Sequence, residues 1–92
     1  MSHPVGFDKR DRIEVGFVEA DVEIGFNLVD MAQAECERGN PLLATRVLED
    51  AEDVFTDIQQ RLDRLGPTET GHFGALVGEL RREIDELNSR LR

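Results

Sequence analysis

Glu69 and His72 form the motif Glu69-x-x-His72, and His72 is one of only two histidines in the chain, with His3. Residues three apart share a face of a helix, and a carboxylate beside an imidazole at this spacing is part of the ligand set of di-iron helical bundles. Such a centre needs further carboxylates projecting into the same core. The apolar seams traced below leave no carboxylate on their inward positions. The expected place for His72 is therefore the first turn of a helix, partly exposed, with no metal and no cofactor. A metal-binding or catalytic bundle using Glu69, His72 and the carboxylates of the first helix stands as the alternative.

Cys36 is the single cysteine, so no internal disulfide is available. It sits between Glu35 and Glu37 near the end of a helical pattern. A helix C-terminus and flanking carboxylates disfavour the thiolate, and no histidine lies nearby in sequence to activate it. A small core residue is the expectation. Gly71, Gly74 and Gly78 follow no strand pattern and lack the Gly-Lys-Ser/Thr ending of a phosphate loop. At Gly74-x-x-x-Gly78 the segment is too polar for a membrane dimer motif, which leaves a close helix crossing or a frayed helix start. With no nucleophile, base or ligand set assembled, the sequence predicts a non-catalytic protein.

The remaining charged feature is a run of carboxylates, Glu49, Asp50, Glu52, Asp53 and Asp57, with no Lys or Arg between Val47 and Gln60. Such a run is ordinarily a solvated face; read instead as a docking face for a basic partner, these residues are the candidate protein-binding site. The charge of the whole chain is −9 and is segregated. Residues 14–57 hold twelve acidic and two basic side chains, and residues 58–92 hold six of each. Clustered Lys and Arg, which phosphate backbones and anionic lipid surfaces require, are absent, so nucleic acid and membrane are not expected partners. A protein partner, including a second copy, is. The first ten residues contain no apolar run of the secretory type, and no stretch approaches the roughly 18 apolar residues of a membrane span, which predicts a cytoplasmic protein. Ten Arg against one Lys suggest a GC-rich, bacterial source.

These side chains must be carried by helices. Gly39-Asn40-Pro41 reads as a stop followed by a start: glycine past one helix, asparagine as N-cap, proline at the first helical position of the next. From there Ala44, Leu48, Ala51, Phe55, Ile58, Leu62 and Leu65 recur at alternating steps of four and three, one apolar seam. Gly66-Pro67 repeats the break. Phe73, Val77, Leu80, Ile84, Leu87 and Leu91 then form a second seam.

The segment before Gly39 is less simple. Glu14 to Phe26 alternates apolar and polar residues like a half-buried strand, yet no hairpin turn interrupts it at Glu19-Ala20-Asp21. Two helical stripes run through it. One is Ile13, Phe17, Ala20, Ile24, Leu28 and Met31; the other is Val18, Val22, Gly25, Val29, Ala32 and Cys36. The pattern predicts a helix from Asp11, capped by Asp11 with Glu14 in a capping box, and apolar over a face wide enough for two neighbours. Val15, Leu43, Val47, Val54 and Leu76 fall outside the stripes and extend whatever interface the chain makes.

Residues 28–51 resemble a tetratricopeptide-repeat hairpin. Leu28, Met31 and Ala32 match the family's first-helix pattern, Gly39 falls at its turn, and Ala44, Leu48 and Ala51 match its second helix. Small residues at these positions let antiparallel helices approach closely. No second copy follows at the period of about 34 residues. The resemblance implies a peptide- or protein-binding scaffold.

The expected fold is all-α: an arm over residues 1–10, with Phe7 tacking it to the body, then a bundle of three long antiparallel helices over 11–38, 41–65 and 68–91. A bundle of this size has a modest core, and a small, self-associating interaction module is the expected function.

Overall fold

The computed structural model describes residues 9–92, with side chains from Arg12 onward except that of Glu69. Of the expected arm over residues 1–10, residues 1–8 with Phe7 lie outside the described residues, while Lys9 and Arg10 are already helical. The chain folds into three helices, α1 (Lys9–Glu37), α2 (Pro41–Asp63) and α3 (Pro67–Leu91), and no strand is present among the described residues. The ambiguous stretch Glu14–Phe26 lies wholly within α1. The three helices pack as an up-down-up bundle.

The first turn follows from one glycine. Gly39 has φ +83°, a left-handed conformation that disfavours any side chain. With it, Gly39 N–H donates to Cys36 O at 3.1 Å and Asn40 N–H donates to Glu35 O at 2.9 Å, which is a Schellman closure of α1. Asn40 occupies the N-cap of α2 with Pro41 at N1, as its sequence position predicts. Its side chain makes no cap bond; Asn40 Nδ2 donates instead to Glu35 Oε1 at 3.1 Å, tying the two helices at the turn.

The second turn is tighter than expected. α2 ends at Asp63 because Arg64 N–H and Leu65 N–H bond back three residues, to Arg61 O and Leu62 O. Leu65, still buried, thus belongs to the turn and not to the helix. Gly66 and Pro67 start α3, and Thr70 Oγ1 reaches back to Leu62 O at 3.3 Å.

One expectation at the N-terminus is corrected. α1 already includes Lys9 and Arg10, so Asp11 is inside the helix and does not cap it. Glu14 is not a capping-box acid either, because its carboxylate is turned to α2, where Arg61 and Arg64 hold it.

The core is built from one stripe of each helix. All seven seam residues from Ala44 to Leu65 are buried. From α3 come Phe73, Leu80, Ile84 and Leu87, with Val77 and Leu91 half-buried against them. α1 contributes Val18, Val22, Val29 and Ala32, with Gly25 also buried. Fully buried alanines (Ala32, Ala44, Ala51) line α1 and α2, the tightest helix pair of the bundle. Small side chains are what allow that approach.

The expectation that α1 buries both stripes fails. Its second stripe satisfies α2 and α3 together, and the first is left facing outward. Ile13, Phe17, Ile24 and Met31 are 52%, 49%, 46% and 54% exposed. Three helices supply only two faces against α1, and these lie on adjacent sides of one stripe.

Candidate functional site

The surface most unlike ordinary solvated protein is this outward stripe of α1. Helical geometry puts Ile13, Phe17, Ala20, Ile24, Leu28 and Met31 within a band about 80° wide, at 100° per residue. Isolated exposed apolar residues are normal, but a contiguous row of large ones marks an interaction surface. Across the turn, the register of the hairpin places Val54 of α2 opposite Ile24 and Val47 opposite Met31. That register follows from the turn, in which Glu37 ends α1 and Pro41 starts α2 on either side of Gly39. Val47 and Val54 are half-buried against the core, while Leu43 is exposed. The exposed band therefore spreads from α1 onto the near flank of α2.

One end of the band is held by Arg61. Its Nη1 donates to Glu14 Oε1 at 3.1 Å, and its Nε lies 3.3 Å from Asp21 Oδ2 without hydrogen-bond alignment. The guanidinium carbon stands 4.5 Å from the centre of the Phe17 ring. A cation packed on the ring face fixes the aromatic in place at the surface. The carboxylates nearest this end are neutralised within the chain. At the other end, Arg38 Nη1 does the same for Glu35 at 3.1 Å.

The carboxylate run of α2 does not form one patch. Asp50 and Asp57, seven residues apart, share the flank towards α1, whereas Glu49 and Asp53 point from the outer back of the helix. Glu52 turns the other way, its Oε1 3.5 Å from Arg81 Nη2 of α3. Arg81 also bonds Asp85 and packs 4.9 Å from the Phe55 ring centre. Four of the five acids are exposed, and Glu52 is half-buried.

A shallow cleft of about 310 Å³ lies between α1 and α3, with Glu79, Glu83 and Glu86 interleaved by Arg82 and Arg90. Partial burial, then the charges of Glu79, Asp30 and Glu86, hold the Glu83 carboxyl above its ordinary value of 4.5, with Arg82 opposing.

His72 is exposed at the start of α3 and meets Phe73 edge-on, with ring centres 5.1 Å apart. The Glu69 side chain lies outside the described residues. Among the described residues no three His, Cys, Asp or Glu side chains converge as a metal ion would need. Cys36 is half-buried. An added Cβ at Gly71, Gly74 or Gly78 would meet nothing within 4 Å, so these glycines do not mark a close helix crossing. No described helix is long and apolar enough to cross a membrane.

Comparison with known proteins gives no match to a family model, to a curated protein or to a solved structure.

Proposed function

We propose that this chain is a small, non-catalytic protein–protein interaction module that works by self-association through the outward stripe of α1. The observation that carries this reading is the half-exposure of four large apolar side chains, Ile13, Phe17, Ile24 and Met31, along one face of α1, about a third of a turn round from the stripe that packs into the core. Covering them removes apolar surface from water at about 25 cal/mol per Å². The tetratricopeptide-like α1–α2 hairpin fits a scaffold role, with its buried alanines drawing the two helices into one rigid surface. The exposed carboxylates Glu49, Asp50, Asp53 and Asp57 remain accessible to a basic partner on the outside of α2. A cytoplasmic, bacterial setting agrees with the composition.

The test is molar mass by light scattering over a hundredfold range of concentration, for the natural chain and for Ile24→Glu. Because Ile24 is half-exposed, a charge there leaves the monomer core intact. Self-association that disappears in Ile24→Glu, at unchanged melting temperature, supports the reading. A monomer at every concentration overturns it.

A further inference from the structure

We propose that the first half of α3, Pro67–Gly78, is a strap that opens and recloses over the end of the α2 seam while Leu80–Leu91 stays docked. This device is independent of the self-association proposed above.

Burial divides α3 unevenly. Among the described side chains from Pro67 to Glu79 only Phe73 is buried, and Val77 is half-buried. Beyond them Leu80, Ile84 and Leu87 are buried, and Leu91 packs at their edge. Leu80 is seated on the backbone of Gly25. Arg81 adds a clasp to α2, with its Nη2 3.5 Å from Glu52 Oε1 and its guanidinium carbon 4.9 Å from the Phe55 ring centre. The first half has no such clasp among the described residues. Its one side-chain bond to another helix there is from Thr70 Oγ1 to Leu62 O, at 3.3 Å.

The backbone of this half is also weak as a helix. Gly71, Gly74 and Gly78 fall within eight residues, and an added Cβ at each would meet nothing within 4 Å. They serve no close packing, and each weakens the helix about fivefold in equilibrium relative to alanine. Together they weaken it roughly a hundredfold. No glycine follows Gly78. At the other end the N-cap is Gly66, which has no side chain to accept from the free N–H groups of the first turn. Gly66 is extended, with ψ 170°, as a residue before proline favours, so loss of the first turns of α3 does not propagate into α2.

A helical segment held by one buried side chain and carrying three glycines opens at a lower free energy than the segment beyond it. Its hinges are Gly66 and the step from Gly78 to Leu80. Opening withdraws Phe73 from the core and lifts Thr70 off Leu62, near the end of the α2 seam. Phe73 and that end of α2 thus form an apolar surface that the chain presents only while the strap is open.

The test is native-state hydrogen exchange of the full chain, followed amide by amide. The amides of Gly71–Gly78 should open roughly a hundredfold more often than those of Leu80, Ile84 and Leu87. Ile84→Val, a mild change that loosens only the second half, should speed exchange at Leu80 and Leu87 and leave Gly71–Gly78 unchanged. Gly74→Ala should slow exchange at Gly71–Gly78 about fivefold. One opening constant along the whole of α3, with Ile84→Val speeding Gly71–Gly78 as much as Leu87, overturns the strap, because those amides then exchange only when the entire bundle unfolds. That outcome leaves the interaction module standing.

Discussion

Leu80 of α3 sits directly against the backbone of Gly25 in α1: a Cβ on Gly25 would lie 2.7 Å from Leu80 Cδ2. Leu80 has no exposed surface, so it cannot simply swing into solvent. Gly25 is therefore the point at which α3 is seated on α1.

Gly25→Ala should lower stability by about 1 kcal/mol. Overpacking a core costs about 1–3 kcal/mol, and the better helix propensity of alanine returns about 1 kcal/mol. Gly74→Ala and Gly78→Ala should each raise stability by about 1 kcal/mol, because their sites are open and only the propensity gain applies. Chemical denaturation of the three variants measures this. Equal gains at all three positions would show that Leu80 repacks without cost.

Arg61 joins two carboxylates of α1, Glu14 and Asp21, and covers the Phe17 ring. All of its partners come from the other half of the hairpin. Arg61→Ala should cost about 2–4 kcal/mol, the sum of a hydrogen bond to a charged group and a cation–π contact. Glu14→Gln should cost less, since Asp21 still faces the guanidinium. A double-mutant cycle on Arg61 and Glu14 in guanidinium-free urea reports their coupling. A coupling indistinguishable from zero would remove Arg61 as the clasp of the hairpin.

Glu83 gives the stability a pH dependence of defined sign. Burial first, then Glu79, Asp30 and Glu86, disfavour its charged form in the folded state, against a smaller effect of Arg82. A carboxyl raised on folding penalises the native state when ionised. The penalty is present at neutral pH, is relieved as pH falls through the folded value, and is gone below the ordinary value of 4.5. Glu83→Gln should therefore melt higher than the natural chain at pH 7, with the difference shrinking to nothing near pH 4. A difference that grows on acidification would reverse the assignment.

The periodicity of the chain carried most of this fold. The α2 seam is recovered residue by residue, because α2 packs against both other helices with a single stripe and every seam position is inside. The α3 seam is recovered with Val77 and Leu91 at its edge. What the sequence could not settle is which stripe of α1 the core takes. Both have helical steps, and the stripe with Phe17 and Ile24 is the more hydrophobic. The core takes the other, because Val18, Gly25, Val29 and Ala32 are small enough for two helices to sit close, as the Gly25–Leu80 contact shows. The Glu14 capping reading failed for a similar reason: a tertiary arginine outbids a local backbone donor, and nothing near Glu14 in sequence reports Arg61. The carboxylates of α2 are contiguous in sequence but spread around the helix, so a run of charge there is not one patch.

The exposed acids bordering the α1 stripe set the salt response of the proposed self-association. Glu23 of α1 and Asp50 and Asp57 of α2 are exposed and have no ion-pair partner among the described residues. Self-association through this stripe brings these acids of the two copies, all of one sign, towards one another. Like charges brought side by side cost about 0.2–0.5 kcal/mol per pair, so a few pairs weaken the association by about 1 kcal/mol, or roughly fivefold in affinity. Sodium chloride screens this repulsion once the Debye length falls below about 5 Å. Self-association should therefore tighten a few-fold between 50 mM and 500 mM salt, and Glu23→Gln should tighten it at low salt and flatten the dependence. A basic partner on the same face responds in the opposite sense, weakening as salt rises. Sedimentation equilibrium at the two salt concentrations separates the cases: looser self-association at high salt would mean that opposite charges hold the copies together, and would move the interface away from this stripe.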